Sequence, residues 1–577
     1  MSELMSTMQD FPLTVAAMLR HGYDVHPDSP VVSGSAGRVV RETDFRTVAE
    51  NATRLATALR GLGVRPGDRV GTFCCNHQPH LEAFYGVPAM GAVLHLINSR
   101  LSDEQLVYVI GDAEDGVIIV DDDLLPRLTA LLPRLPSVHT LVVVGEDRGE
   151  HAGYDELLAS VAVHDTWHEP DERAPAAICY TTGTTGLPKG VVYSHRSIWL
   201  HALAISSGAA FALSDRHRIL QITPMFHVNG WGLPHAALLT GAGIVLPGRD
   251  VSPGAITALT AAAKPTLAVS IPLIWAQVKV YAETHPVDLS SLDSIVCAGS
   301  PVAPALIDYY ERVHGTSLFQ GWGMTEVSPW GGISLPAARD LSDPAKPWRG
   351  WSGRLLPGAE MRVVGEFGDV LPRDGESVGE LQMRGPWVTG SYVGGKSGDC
   401  FSADGWLRTG DLGALDRRGY FRITDRSKDV IKSGGEWISS VALENHLDAH
   451  PDVLESAVIG VPDPRWEERP LAVVVLCETA TASMADLHGH LSAAVPRWWL
   501  PERWVLAETL PRTSVGKIDK KRLRAVAASG ELRIEHVPGT GPDRAARATV
   551  PAPAVAEPFQ DNEPIATSRQ RATGGLS

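Results

Sequence analysis

The sequence predicts an α/β protein, with a large N-terminal α/β body of several subdomains followed by a small, mobile C-terminal α/β domain. The first observation is length, because 577 residues are far more than one hydrophobic core usually organises. The second is an alternation of short apolar runs with helical patterns along the N-terminal part of the chain. The third is a change of texture after about Gly410. Together these observations predict a parallel sheet covered by helices, with at least one further domain.

In the N-terminal body, three segments show apolar residues at helical spacing: 45–62, 102–110 and 125–132. Between them lie short apolar runs typical of buried strands, at residues 69–73, 92–97, 116–120 and 140–144. Strands that alternate with helices in this way favour a parallel sheet with both faces covered.

After Gly410 the chain reads as polar turns over residues 411–426, and a compact α/β pattern follows. We expect helices at 442–450 and 484–495 and strands at 456–459 and 471–476. The predicted domains are an N-terminal domain at 1–425, a mobile C-terminal domain at 426–536 and a disordered tail at 537–577. The tail is predicted because it is rich in Pro, Ala, Gly, Thr and Ser and has no apolar period.

Composition narrows the possible partners. The formal net charge of −16 disfavours non-specific binding to nucleic acid or to an anionic membrane. The six cysteines have no paired spacing, which indicates reduced thiols rather than a zinc site or a disulfide framework. No run of about 18 apolar residues occurs, and the N-terminus does not have the pattern of a signal peptide. We therefore expect no membrane span and a cytoplasmic location.

The strongest local motif is YTTGTTGLPKG at residues 180–190. Its glycines allow the backbone to approach an anion closely, and its hydroxyls and lysine add donors and charge. The spacing is not that of a Walker A loop. The predicted phosphate-binding residues are Thr181, Thr182, Gly183, Thr184, Thr185 and Lys189.

Further motifs follow in order: PMFHVNGW at 224–231, QGWGMTE at 320–326, WLRTGD at 406–411, DRSKD at 425–429 and PRTSVGK at 511–517. With the loop at 180–190, this set resembles the signature of the adenylate-forming superfamily of AMP-dependent synthetases and ligases. The segment SGGEW at 433–437 most resembles medium- and long-chain fatty-acyl-CoA synthetases. Any one of these motifs has an ordinary structural explanation, but their occurrence together and in order favours function.

The resemblance implies a nucleotide site. Trp322 would stack on adenine, Asp411 would accept hydrogen bonds from the ribose with help from Arg426, and Thr181 and Glu326 would hold Mg²⁺, whose preferred ligands are oxygens. Besides the loop residues and Arg426, the implied ATP- and AMP-binding residues are Gly299, Ser300, Gln320, Gly321, Trp322, Thr325, Asp411, Lys428, Lys432 and Trp437.

The resemblance also implies the acyl site and the catalytic set. The acid would lie against His227, Val228, Trp231 and Trp275, with Trp231 at the place of a tryptophan that gates the acyl tunnel in fatty-acyl relatives. The implied catalytic residues are Lys517, Glu326, His227 and Thr325. Lys428 would be the hinge about which the small domain turns between two half-reactions. The segments at 270–275 and 298–300 depart from the fatty-acyl pattern, which leaves the identity of the acid open.

The predicted activity is ATP-dependent activation of a carboxylic acid, fatty or aryl, as acyl-AMP, followed by thioester formation with coenzyme A. One alternative keeps the adenylation but changes the acceptor to a carrier-protein thiol or an amine, or activates nitrite for the diazotisation of an aryl amine. Another alternative is a non-catalytic adenylate-binding protein. The expected co-substrates and cofactor are ATP, coenzyme A and Mg²⁺, and the resemblance suggests a homodimer.

Overall fold

The computed structural model of the chain describes residues 6–162, 169–181, 187–337, 340, 347–395, 398–434, 436–477, 480–513 and 517–537. The predicted tail beyond Val537 therefore lies outside the described residues. The loop residues Thr182, Gly183, Thr184 and Thr185 also lie outside them.

The described residues form helices and strands, which alternate over much of the N-terminal part and give way to consecutive strands over residues 317–438. The helices are α1 Val15–Val25, α2 Phe45–Gly61, α3 Gln78–Ala89, α4 Asp103–Ala113, α5 Leu125–Leu131, α6 Tyr154–Ala159, α7 His195–Ser206, α8 Leu233–Thr240, α9 Pro253–Ala263, α10 Pro272–Ala282, α11 Pro304–Tyr309, α12 Ser440–Asp448, α13 Met484–Ser492 and α14 Lys520–Ser529.

The strands are β1 Pro30–Ser35, β2 Arg38–Asp44, β3 Arg69–Phe73, β4 Val93–Leu96, β5 Val117–Asp121, β6 Thr140–Val144, β7 Ala152–Gly153, β8 Pro175–Tyr180, β9 Gly190–Ser194, β10 Arg218–Gln221, β11 Gly243–Leu246, β12 Leu267–Ser270, β13 Ser294–Cys297, β14 Ser317–Gly323, β15 Trp330–Ile333, β16 Gly353–Leu355, β17 Glu360–Val364, β18 Gly379–Arg384, β19 Leu407–Leu415, β20 Tyr420–Arg426, β21 Ile431–Ser433, β22 Glu436–Ile438, β23 Val453–Asp463, β24 Glu467–Leu476, β25 Arg503–Leu506 and β26 Glu535–His536.

The N-terminal strands form a seven-stranded sheet in the order β7-β6-β5-β3-β4-β8-β9. Every neighbouring pair is parallel except β8 and β9. Alternate residues of β5 enter two different clusters: Val117 and Ile119 pack with α2 and α3, while Ile118 and Val120 pack with α4 and α5. The predicted parallel sheet with both faces covered is confirmed, and its strands lie within a residue or two of the predicted runs.

A second sheet has thirteen strands in the order β17-β18-β19-β20-β16-β15-β14-β13-β12-β10-β11-β1-β2. Its strands are parallel from β14 to β1 and antiparallel elsewhere. The expectation of polar turns over residues 411–426 is wrong, because β19 and β20 form a hairpin there. Buried side chains such as Leu412, Leu415 and Phe421 anchor that hairpin in the core, and the charged residues between them hid the strand pattern in the sequence.

The C-terminal strands form a separate sheet in the order β22-β21-β24-β25-β26, with β23 paired to β24. Apolar residues of α12 and α13 pack with one face in a cluster that includes Leu443 and Leu487, and Leu523 of α14 packs in a second cluster with Val473 of β24. The chain is thus a large N-terminal α/β body with a small C-terminal α/β domain, as predicted. The boundary at 425/426 stays a prediction.

A buried asparagine joins the two large sheets. The Nδ2 atom of Asn76, in the loop after β3, donates to the carbonyls of Gln221 at 2.7 Å and Thr223 at 2.9 Å. The Oδ1 atom of Asn76 accepts from the backbone N–H of Met225 at 2.7 Å. Because the side chain is 3% exposed, these bonds satisfy polar groups that water does not reach. They tie the seven-stranded sheet to the parallel half of the thirteen-stranded sheet.

An ionic cluster lies beside that asparagine. The Nε2 atom of His77 is 2.7 Å from one carboxylate oxygen of Asp121, and Arg249 is 2.8 Å from the other. Burial opposes both charges of the His77–Asp121 pair, but the hydrogen bond between them, their mutual attraction and further hydrogen bonds with Cys74 and Cys75 together outweigh it. These interactions hold the pKa of Asp121 below its usual range and raise the pKa of His77 well above its own. The Cys74 sulfur lies in the same cluster.

The six cysteines are free thiols, as the sequence predicted. Among the described residues, no helix is both long enough and apolar enough to cross a membrane.

Candidate active site

A cavity of about 760 Å³ lies at the carboxyl ends of parallel strands from both large sheets. Thr181 follows β8, Thr223 follows β10 and Gly299 follows β13, and all three line it. This is the edge at which open α/β sheets generally bind ligands, because the connecting loops diverge there. The structure brings to this cavity the predicted site residues Thr181, Lys189, His227, Val228, Trp231, Gly299, Thr325, Glu326, Arg426, Lys428 and Lys517.

The two ends of the predicted phosphate loop meet at the cavity wall. Thr181 N–H donates to the carbonyl of Lys189 at 2.9 Å, and Lys189 N–H donates to Thr181 Oγ1 at 3.1 Å. The Lys189 ammonium lies 4.9 Å from the centre of the Tyr392 ring and 3.2 Å from the sulfur of Cys400. The loop base is therefore closed by backbone and hydroxyl groups, and it presents a positive charge to the cavity.

Glu326 supplies a buried carboxylate at the same wall. It lies in the short 3₁₀ turn Thr325–Val327 just after β14, and it is 8% exposed. The Tyr392 hydroxyl donates to its Oε1 at 2.8 Å, and burial raises the pKa of the carboxyl group. A desolvated carboxylate is costly unless a cation compensates it. Its oxygens, with the hydroxyl of Thr181 on the same cavity, fit the oxygen ligands that Mg²⁺ prefers.

Asp411 and Trp322 form a pair beside the cavity. The indole N–H of Trp322 donates to Asp411 Oδ2 at 2.8 Å, and Arg426 Nε lies 3.1 Å from Oδ1. The charge of Asp411 raises the pKa of Arg426. The Trp322 ring packs edge-on against Phe421, at 5.4 Å between ring centres. Neither Trp322 nor Asp411 is among the described lining residues, so their adenine and ribose roles stay predictions.

Lys517 brings the C-terminal domain into the cavity. A Cβ atom added at Gly299 would lie 3.4 Å from Lys517 Cε, and Gly299 has a φ of +94°. Burial, with the positive charge of Arg426 acting in the same direction, lowers the pKa of Lys517 to about 8. Burial and the charge of Lys517 together lower the pKa of His227 to about 3. His227 is therefore neutral at pH 7, and Lys517 is the cation that an anionic ligand would meet there.

Another part of the cavity wall is apolar. Phe226, Val228 and Trp231 come from the segment after β10, and Ile271 and Ile274 come from the segment after β12. Val228 to Gly232 all have positive φ, between +46° and +74°, so this segment is a left-handed turn.

The prediction that Trp275 contacts the acid is not supported by its position. Trp275 lies one residue beyond Ile274 on α10, about 100° further around the helix. Its ring is fully buried in a different core cluster, 5.5 Å from the Tyr310 ring. The same helix therefore presents Ile274 to the cavity and Trp275 to the core.

Other predicted nucleotide residues also lie off the described cavity wall. Lys432 and Trp437 face each other across the β21–β22 pair, and both are exposed. The Oε1 atom of Gln320 accepts a hydrogen bond from the backbone N–H of Val302 at 3.0 Å. This bond holds the turn that follows Gly299. Gly321 is packed against the ring of Trp330. Ser300 is exposed next to Gly299.

Sequence reasoning missed several residues that line the cavity, among them Arg100, Trp330 and Tyr392. Trp330 comes four residues after the QGWGMTE motif, so its position in the sequence could have indicated that it lies near the site. Arg100 and Tyr392 belong to none of the motifs. Tyr392 reaches Glu326 from 66 positions away in the chain.

The first helix of the C-terminal domain, α12, is hydrogen-bonded to β20, the last strand of the thirteen-stranded sheet along the chain. Ser440 N–H donates to Asp425 Oδ2 at 2.6 Å, and the Ser440 hydroxyl donates to the same oxygen at 2.9 Å. Lys520 Nζ donates to the Ser440 hydroxyl at 2.8 Å. Lys428, the predicted hinge residue, lines the cavity between these two elements, and burial lowers its pKa.

Comparison with known proteins agrees with this geometry. The family model of AMP-binding enzymes matches residues 19–393, and that of the AMP-binding enzyme C-terminal domain matches residues 442–517. The chain is 40% identical over 532 residues to a 3-methylmercaptopropionyl-CoA ligase of Ruegeria pomeroyi, covering 90% of this chain and 98% of that protein. It is 42% identical over 531 residues to a long-chain-fatty-acid–CoA ligase of Thermus thermophilus, covering 91% and 97%.

Among solved structures, the anthranilate CoA ligase AuaEII in complex with anthranoyl-AMP aligns with a TM-score of 0.83 at 27% identity. The alignment covers 91% of this chain and 100% of that one. The family match extends over more than half of the chain, and the relatives match nearly their whole length. This chain therefore belongs to the family of AMP-binding enzymes, within the adenylate-forming superfamily.

Proposed function

We propose that this AMP-forming acyl-CoA synthetase activates an apolar carboxylic acid with ATP and transfers the acyl group to coenzyme A. The observation that carries the proposal is the position of Lys517. It lies in one cavity with the base of the phosphate loop, the Glu326 carboxylate and an apolar wall. A cation at that junction can hold a carboxylate and a phosphate together.

In the proposed first half-reaction, a carboxylate oxygen of the acid attacks the α-phosphorus of ATP. The bond from that phosphorus to the bridging oxygen of the β-phosphate breaks, and pyrophosphate leaves with the electron pair. Two anions approach each other in this step, so fixed positive charge stabilises its transition state. Lys517 and Arg426 supply that charge near the α-phosphate, and Lys189 supplies it at the loop.

Thr181 and Glu326 would hold Mg²⁺, which when bound neutralises phosphate charge. Asp411 would orient the ribose, since Trp322 and Arg426 already fix its carboxylate. His227, neutral because burial lowers its pKa to about 3, would border the reacting carboxylate without adding charge.

In the proposed second half-reaction, the thiol of coenzyme A attacks the carbonyl carbon of acyl-AMP. The carbon–oxygen bond to AMP breaks, the thiol proton goes to solvent, and acyl-CoA and AMP leave. Lys517 is not needed in this step. The C-terminal domain, with boundaries near 426 and 536, would turn about Lys428 and withdraw Lys517 from the cavity. Hinge motions of this kind are a known class of enzyme mechanism.

The test is ATP-dependent pyrophosphate release with straight-chain acids from propionate to palmitate and with benzoates, each with and without coenzyme A. We expect release that depends on the acid and thioester that appears only with coenzyme A. Pyrophosphate release with no thioester would favour another acceptor: a carrier-protein thiol, an amine, or nitrite with an aryl amine. ATP binding with no release for any acid would favour a non-catalytic binding protein. A cytoplasmic location stays a prediction from the sequence pattern, and a homodimer stays a prediction from the resemblance.

A further inference from the structure

The hairpin of β14 and β15 carries one tryptophan on each face. A Cβ added at Gly321 would lie 2.4 Å from the Trp330 ring, and one added at Gly331 would lie 2.3 Å from the Trp322 ring. Each ring therefore lies over a glycine of the neighbouring strand. Because successive strand residues point to opposite faces, Trp330 shares the face of Gly321 and Trp322 takes the other. Trp322 reaches Asp411 on the predicted nucleotide side, and Trp330 reaches the apolar end of the cavity.

Trp330 is buried, at 1% exposure, yet it lines the cavity. Its ring centre lies 5.2 Å from that of Trp231 at 87° and 5.4 Å from that of Phe211 at 76°. These are edge-to-face arrangements, which aromatic pairs favour. The rings of Trp231 and Trp330 line the cavity, and the ring of Phe211 packs behind that of Trp330.

Trp330 also holds the backbone of Trp231. The indole N–H of Trp330 donates to the Trp231 carbonyl at 2.9 Å, and the backbone N–H of Trp330 donates to His201 Nε2 at 3.3 Å. Gln221 holds the same turn by donating to the Gly230 carbonyl at 3.2 Å.

These bonds matter because the turn is strained. Val228, Asn229 and Trp231 have φ values of +46°, +56° and +57°, a region that residues with a Cβ atom avoid. Such backbone persists only where its surroundings hold it. The Trp330 indole is one of those supports, so it limits how far Trp231 can move to admit a longer chain.

We infer that Trp330 is a specificity-determining residue, which closes the acyl end of the cavity and fixes Trp231, so that the enzyme prefers short apolar acids to long-chain acids. The inference rests on the proposed function. The cavity volume favours the same conclusion, because its roughly 760 Å³ is shared between the acyl group and the phosphate end of the nucleotide, which Lys189, Glu326 and Lys517 line. The side chains named at this end are apolar, and none offers a charge for a second carboxylate.

The experiment measures kcat/KM for propionate, hexanoate and dodecanoate, and KM for ATP, in two variants. Trp330→Leu removes the ring, and Trp330→Phe keeps a ring but removes the N–H that holds Trp231. We expect the ratio of kcat/KM for dodecanoate to that for propionate to rise about tenfold or more in Trp330→Leu, within the range that pocket contacts control. Trp330→Phe should raise the ratio less, and KM for ATP should stay within about twofold.

The matched control is Trp275→Phe. Trp275 is also a fully buried tryptophan, but it lies in another core cluster, and its indole N–H has no hydrogen-bond partner among the described residues. This control should leave the ratio unchanged.

The inference is overturned if the wild-type enzyme prefers dodecanoate, or if both Trp330 variants are folded and keep the wild-type order of acids. If Trp330→Leu does not fold, the ratio in Trp330→Phe decides alone. If no acid yields acyl-AMP in the wild-type enzyme, the proposed function itself fails, and this inference falls with it.

Discussion

In two buried polar regions of this protein, the pKa values of the acidic and basic groups are shifted in opposite directions. In the cluster that joins the large sheets, Asp121 has His77 on one oxygen and Arg249 on the other. Its pKa is held low, and that of His77 is raised. In the cavity, burial dominates instead, and it lowers the pKa of Lys517 and raises that of Glu326.

The difference separates a structural role from a functional one. In the first region, the ion pairs favour the charged forms of Asp121 and His77. These charges are paired within the protein, and the Asp121–Arg249 pair joins the two large sheets. In the cavity, Lys517 and Glu326 are shifted towards their neutral forms, whereas Arg426, paired with Asp411, is shifted towards its charged form. An anionic ligand would reverse the shift of Lys517, and a cation would reverse that of Glu326. Perturbed groups of the second kind are typical of functional sites. Four changes would break or sharpen this comparison.

The largest effect is expected for Lys517→Ala. ATP–pyrophosphate exchange should fall by about 10²–10³-fold, the usual loss for one donor that stabilises a transition state. Formation of thioester from supplied acyl-AMP should persist, because the proposed second half-reaction does not use Lys517. Equal losses in both assays would contradict the two-arrangement mechanism.

Asp121→Asn should break the structural cluster instead. We expect about 1.5–3 kcal/mol of lost stability, the usual contribution of hydrogen bonds to a charged group, seen as a lower thermal midpoint at pH 5.5. Asp123→Asn is the matched control, because Asp123 also pairs with Arg249, at 2.7 Å, but is half exposed. An equal loss in both variants would show that the cluster adds nothing beyond a surface ion pair.

The pH dependence of that loss has a defined sign. The low pKa of Asp121 adds stability above its unfolded value of about 4, and this is lost as pH falls through the folded pKa. The high pKa of His77 adds stability below its unfolded value of about 6.5, and this is lost as pH rises through the folded pKa. The gap between wild type and Asp121→Asn should therefore be widest between about pH 4 and 6.5.

Glu326→Gln tests the cavity carboxylate. A neutral amide is a weaker ligand for a hard cation, so the Mg²⁺ concentration for half-maximal adenylation should rise at least about tenfold, the lower bound for losing a supporting group at a metal site. The measurement is a Mg²⁺ titration of the initial rate. Tyr392→Phe, which removes only the hydroxyl that donates to Glu326, should shift the titration less. An unchanged titration in Glu326→Gln would place the metal elsewhere.

The smallest effect concerns pH. Because the pKa of Lys517 is about 8 and the charged form is the useful one, kcat/KM for ATP in the exchange assay should fall as pH rises through about 8. Lys517→Arg should move this fall to higher pH, since guanidinium stays protonated. A fall at the same pH in both enzymes would assign it to another group.

Much of the fold and site could be predicted from local pattern. Continuous apolar runs such as 116–120 identify buried parallel strands, and the motifs identify most residues that line the cavity. Contacts between distant segments could not be predicted. Tyr392 carries no motif and reaches Glu326 only through the fold. The placement of Trp275 failed because one step along α10 separates the cavity from the core, and the phase of a helix is not readable to that accuracy from a short apolar segment.

The contact between Asp425 and Ser440 has a consequence for the order in which substrates act. It fastens the C-terminal domain to the N-terminal body while Lys517 lies in the cavity, which is the arrangement that the proposed first half-reaction uses. Coenzyme A would be useful only after that fastening is released, which the proposed cycle places after acyl-AMP has formed. Steady-state kinetics should then show pyrophosphate leaving before coenzyme A enters, the ping-pong pattern of an enzyme that completes one half-reaction before the next.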